Sequence, residues 1–395
     1  MIKGSNQRKR TRKKTVWRQA FRATGHMVIF ALTLFLILAA LLAVVYRDAL
    51  NLDMVKRWLT YNTISRDEAG LAEEFVFSGD SQNSFATFDN GLLLCSNTTL
   101  QLYSSSGRQE LTMAVNMEQP VIHVDGAYAL IYDAGGSSLY VFHNEEKVFT
   151  YETQEGYGLI SARINSNGYF AVTEQSPGYK ATVTVYDNEL NKRISWNEST
   201  CFIMDALVSP DNQTLAVVKV SQSQTAFETD VVFYRCSDAT QEASAAVGSD
   251  LVLDMAWKGD RIWLQQETGI TLLNESGEEL GHWSDELRYL DCYALEGDGY
   301  AVELLSKYRS GGTGDLMIIN DRGEESVSRN ISEEVLSISA AGRYIAVLTP
   351  GFLTVYNRDL EEYASVETAT ARRAIMREDG SVMIIDNESA KLFVP

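Results

Sequence analysis

Eight short runs of one kind recur along the chain, and that recurrence limits the possible folds more than any other feature. They span residues 92–96, 128–132, 169–173, 215–219, 261–265, 300–304, 344–348 and 382–386, at spacings of 36 to 46 residues. Most follow a turn built from Gly, Asp or Asn, such as Asp89-Asn90-Gly91, Asp125-Gly126 or Asp379-Gly380. A second apolar run and a polar hairpin come next, as in LYVFHNEEKV (139–148) and LTVYNRDLEE (353–362). Turn-bounded runs rich in Val, Ile, Leu and Tyr read as strands. A repeat of about 40–45 residues with four short strands has the period of a propeller blade. One such sheet cannot bury both faces alone, whereas stacking around an axis covers them. The expected fold is all-β: an eight-bladed β-propeller over residues 73–395, or seven blades if one repeat is irregular. Two β-sandwiches would not give one unit recurring along so much of the chain.

The ends predict how the ring closes. The last repeat has room for three strands, 373–377, 382–386 and 390–394, before the chain stops at Pro395. The segment EFVFS (74–78) precedes the first repeat and can supply the fourth. A composite closing blade removes the free edge that would otherwise invite mispairing.

Ahead of the repeats, residues 27–46 read MVIFALTLFLILAALLAVVY, without one charge. Twenty helical residues cover about 30 Å, the hydrocarbon thickness of a bilayer. The run is longer than the apolar core of a cleaved signal peptide, and no A-x-A pattern follows it, so it reads as an uncleaved N-terminal transmembrane signal anchor. Residues 1–26 carry nine Lys or Arg and no Asp or Glu. The positive-inside rule places that tail in the cytoplasm and the repeats outside the cell membrane. Between anchor and repeats, residues 47–72 read as a juxtamembrane stalk. Its apolar residues fall at helical spacing, and Trp58 is either an interfacial anchor or packed under the propeller.

Charge narrows the partners. The chain has a formal charge of −19, but beyond residue 46 there are 25 basic and 53 acidic side chains, a net −28. Such an outer part does not suit nucleic acid or anionic lipid. Membrane lipid is expected to meet only the anchor and the basic tail, while an envelope protein, peptide or glycan remains open for the propeller.

No residue set announces chemistry. The four histidines are scattered, with no HExxH motif, metal-binding Cys/His spacing or G-x-S-x-G turn, so no cofactor, metal or catalytic residue is assigned. Acidic pairs such as Glu145-Glu146 and Glu361-Glu362 fall in hairpins, where solvated charge explains them. Three segments read as loop-lengthening insertions: 221–229, 239–250 and 308–314. Tyr308 and Arg309, in the Gly-rich third, are binding candidates beside the reading as a plain hairpin. Trp257 and Trp263 are candidates for a ligand-stacking platform beside the reading as blade packing. Of the four cysteines, Cys201 and Cys236 share a repeat and are the pair to test for a disulfide. Three functions stay open: a binding or scaffold module, a glycan-active enzyme, and a transmembrane sensing or assembly component. Carboxylates from several blades converging at the channel mouth would favour the enzyme.

The run ALVSPDNQTLAVV (206–218) resembles the SPDG-type repeats of TolB-like and other WD40-like bacterial propellers, with Asn212 in the place of the usual Gly. The layout of basic tail, single anchor, NLDMVKRWLTY stalk (51–61) and propeller resembles an uncharacterised family of Firmicute single-pass membrane proteins. That resemblance implies the architecture and carries no catalytic residues.

Overall fold

A computed structural model of the chain describes residues 33–34, 52–80, 82–223, 226–309 and 313–395. The chain divides into two units, Met1–Tyr61 and Asn62–Pro395. In the first, Leu52–Tyr61 is a helix that exposes Met54, Val55, Trp58 and Leu59. The basic tail and the expected anchor lie outside the described residues, Thr33 and Leu34 excepted. Among the described residues no helix is long and apolar enough to cross a membrane.

The second unit is a ring of eight four-stranded antiparallel sheets, and seven of them use consecutive strands. Blades 1 to 7 begin at Ser84, Pro120, Leu159, Phe202, Val252, Tyr289 and Ser337. Blade 8 takes Arg373–Met376, Val382–Ile385 and Ser389–Phe393 from the C-terminus and Phe75–Val76 from the N-terminal side, with Phe75 opposite Ala390. The ring therefore closes as a composite blade, with the segments read from sequence. Residues 70–72, assigned to the stalk, already bond to this blade: the Ala72 N–H donates to the Leu392 carbonyl.

Burial follows position within the blade. Second strands such as Gly91–Cys95 and Tyr344–Leu348 are buried throughout, because neighbouring blades cover both their faces. Fourth strands such as Glu146–Glu152 and Gln241–Gly248 are largely exposed, with one face turned to solvent. The core is thus a series of clusters between blades. Leu130, Leu139, Ala162 and Phe170 join blades 2 and 3, and Val302, Ile318, Ile345 and Val347 join blades 6 and 7. At the closing seam, the Phe75 and Tyr103 rings lie 5.2 Å apart, and Arg377 donates to the Gly91 carbonyl.

Two expected loops are strands instead. Ser221 pairs with Glu228, and Gln241–Gly248 forms the fourth strand of blade 4. Ala243, Ala245 and Val247 alternate inward against blade 5, so small residues of modest β-propensity are held there by packing. The SPDN turn behaves as its sequence suggests. Asn212 has φ 65°, a left-handed conformation that Asn tolerates better than most residues, and its side-chain oxygen accepts from Asn165 of blade 3.

Candidate functional site

The ring has two unlike faces. The turn face carries the turns between first and second strands and between third and fourth. The loop face carries the remaining hairpins and the connections between blades. Residues 70–71 meet the C-terminal strand at Phe393 and Val394, so the chain reaches the ring on the turn face. That face is acidic, with Asp89, Asp125, Asp211, Asp260, Glu296 and Asp298 in its turns. The loop face exposes Phe202, Phe227, Leu251, Leu287, Tyr289 and Tyr308 on blades 4 to 6, and Tyr179, Phe352 and Val76 singly on blades 3, 7 and 8. Exposed apolar side chains gathered on one region mark contact surfaces more often than scattered ones do.

First strands neighbour one another around the axis and line the channel. Arg163 of blade 3 reaches past its neighbour to bond two blades. Its Nε donates to Asp205 Oδ2 of blade 4 at 2.9 Å, and its Nη2 donates to Asp254 Oδ1 of blade 5 at 2.6 Å. The two carboxylates have matching local roles, Asp205 accepting from the Ala206 N–H and Asp254 from the Met255 N–H. Acidic residues from two blades therefore do converge in the channel. A guanidinium fills the space between them, where a glycosidase would need room for a sugar and a protonated acid. The arrangement is an ionic clamp across three blades.

Toward the turn face, His123 of blade 2 and Lys258 of blade 5 are first-strand residues whose side chains each meet the next blade. Burial, with Arg163 adding, lowers the His123 imidazole to about 3, so it is neutral. Its Nδ1 is placed to accept from the Ile164 N–H at 3.4 Å. Burial lowers the Lys258 amine to about 7 against the opposing pull of Glu296 and Asp298, and its Nζ donates to the Tyr300 carbonyl.

Tyr308 and Arg309 stand on the loop face. Tyr308 is 75 % exposed, and the Arg309 guanidinium lies 5.6 Å from the Tyr289 ring. Beside them Leu287 is 90 % exposed on a braced turn. Asp285 accepts from the Leu287 and Arg288 N–H groups, and the Arg288 guanidinium bonds both Asp285 and Asp315. Trp263 is 1 % exposed in the core between blades 5 and 6, with the Lys258 ammonium 4.1 Å from its ring centre. Trp257 packs against blade 4 and donates to the Leu207 carbonyl. Trp263 is thus covered, whereas Trp257 keeps part of its indole exposed. Cys201 and Cys236 are both free thiols. Among the described residues, no group of three or more His, Cys, Asp or Glu is placed to hold a metal ion.

Solved structures share this architecture at low identity. BamB from Moraxella catarrhalis is 9% identical, with a TM-score of 0.53, covering 82% of this chain and 98% of its own. The C-terminal WD40 domain of Sif2 is 9% identical, with a TM-score of 0.58, covering 81% and 96%. A eukaryotic initiation factor structure is 12% identical, with a TM-score of 0.52, covering 80% and 87%. These likenesses concern the fold alone. No curated protein matches the sequence. The model of a family of unknown function, DUF5711, matches residues 67–392, nearly the whole ring, and the chain belongs to that family.

Proposed function

We propose that the protein is a membrane-anchored, extracytoplasmic binding module that holds a partner protein on the loop face of its propeller. The observation that carries this reading is the exposed apolar set on blades 4 to 6, on the face opposite the one where the chain reaches the ring. A propeller tethered by residues 27–46, with its basic tail in the cytoplasm, can turn that face toward other proteins of the envelope. Leu287 is pre-positioned by its braced turn, which lowers the ordering cost of docking it into a partner. A few anchors supply most of the affinity in protein interfaces, and Tyr and Arg, present here as Tyr289, Tyr308 and Arg309, are prominent among them.

The test uses the full chain in intact cells. A membrane-impermeant maleimide should label Leu287→Cys from outside above the wild-type background, and should label Ser5→Cys only after permeabilisation. Crosslinking in the same cells should capture a partner protein with the wild-type chain and not with Leu287→Asp. Labelling of Ser5→Cys from outside would overturn the topology. Unchanged capture by Leu287→Asp would overturn the docking face.

A further inference from the structure

The first strands are irregular at one level in four consecutive blades, and three of those blades carry the exposed apolar set. In blades 3, 4, 5 and 6 the pairing of first and second strands shifts by one residue. The shifts fall between Leu159 and Ser161, Ile203 and Asp205, Val252 and Asp254, and Leu290 and Cys292. Blades 1, 2, 7 and 8 pair there without a shift. Each bulge leaves one residue of an axis-lining strand without an opposite: Ile160, Met204, Leu253 and Asp291. Met204 and Leu253 are each 44 % exposed. A bulge re-aims a side chain at the cost of ladder bonds, and bulges recur beside functional sites. Four at one level of four consecutive blades, and at that level of no others, form a localised feature of the channel mouth.

The mouth also carries charge. Asp205 and Asp254 share the one guanidinium of Arg163, and Asp291 is an exposed carboxylate at the bulge of blade 6. Arg309 and Lys180 lie nearby over Tyr289 and Phe202, in a chain whose residues beyond 46 carry a net −28. The mouth thus combines large apolar side chains with aspartate carboxylates. We infer that this quadrant of the channel mouth receives a polypeptide segment in which a Lys or Arg is flanked by large apolar residues. Met204 and Leu253 contact the apolar side chains, and the three aspartates select the cation. Complementary charge across an interface sets specificity and register. This rests on the loop face being the docking face and adds the class of partner.

The test measures fluorescence anisotropy with the full chain in lipid nanodiscs. The probe is a labelled peptide, Gly-Ser-Leu-Phe-Arg-Leu-Phe-Ser-Gly, compared with versions carrying Glu for Arg or Ser for every Leu and Phe. The parent peptide should bind at least about tenfold more tightly than either, since each change removes one complementary term. Added salt should weaken the parent, because exposed charges are screened. Asp291→Asn should lower affinity for the Arg peptide and not for the Glu peptide. Leu253→Ser should lower both. Asp291 and Leu253 are exposed, so both variants should keep the fold, checked by unchanged melting. Equal binding of the Arg and Glu peptides, or affinities unaltered by Leu253→Ser, would overturn the inference. If those results came with partner capture that still depended on Leu287, the docking face would stand and only the basic class of partner would fall.

Discussion

Arg163→Met should destabilise the propeller by about 3 kcal/mol. The wild-type guanidinium makes two contacts with Asp205, at 2.9 and 2.8 Å, and one with Asp254 at 2.6 Å. All three side chains are 16–22 % exposed, so the clamp is neither dry nor fully solvated. At an effective dielectric of about 20, each pair of unit charges about 4 Å apart attracts by about 4 kcal/mol, and desolvation offsets much of that. Removing the cation alone forfeits both attractions and leaves two carboxylates facing each other. Losing one partner of a buried pair costs about 3–5 kcal/mol, and the partial exposure here places the loss at the lower end. Adding Asp205→Asn and Asp254→Asn removes the stranded charge. Asn keeps an Oδ1 that can accept from the Ala206 and Met255 N–H groups. The triple variant should therefore recover to within about 1 kcal/mol of wild type, a coupling that independent sites would not show. Urea denaturation at neutral pH measures each step. An Arg163→Met variant within about 0.5 kcal/mol of wild type, or a triple variant no more stable than the single one, would show that the three side chains do not act as a clamp.

Two further outcomes follow from buried groups. Glu303 of blade 6 is fully buried and bonded to Gln265 of blade 5; burial raises its carboxyl from 4.5 to about 7. The folded state then holds a proton that the unfolded chain has released, so stability should fall as pH rises from about 4.5 to 7. At 1.36 kcal/mol per pH unit this amounts to about 3 kcal/mol. Glu303→Gln should flatten that slope in urea titrations at pH 5 and 8, and an unchanged slope would contradict the assignment. Phe393, 1 % exposed in the closing blade, should cost about 3–5 kcal/mol when replaced by Ala. Hydrogen exchange should then accelerate at residues 75–76 and 389–393 ahead of the other blades.

The blade count and the composite closure were legible because strand period and turn chemistry are local. Asp89-Asn90-Gly91 and the SPDN turn announce hairpins whatever surrounds them. The strand at 241–248 was not, because Ala and Ser say little about β structure until blade 5 covers one face. The channel mouth was hidden for another reason: its residues come from first strands about 40 residues apart, and a register shift leaves no mark in composition. One signal was present. IMDALV (203–208), VLDMAW (252–257) and YLDCYA (289–294) each place a lone Asp in an apolar first-strand run, in three consecutive repeats. Tyr308 and Arg309 stand out in the sequence only through their Gly-rich loop, which announces exposure and not a ligand. Leu287 carries no sequence mark, since its exposure comes from Asp285 and Arg288 bracing the turn around it.

The proposed docking of a partner protein on the loop face, outside the membrane, can be read in living cells. Its most direct test is a photocrosslinking amino acid placed in the full chain in living cells, at Leu287 on the loop face or at Asp260 on the turn face. A discrete crosslink to another polypeptide is expected from position 287 and none from 260. Crosslinks of equal strength from both positions, or from 260 alone, would contradict it.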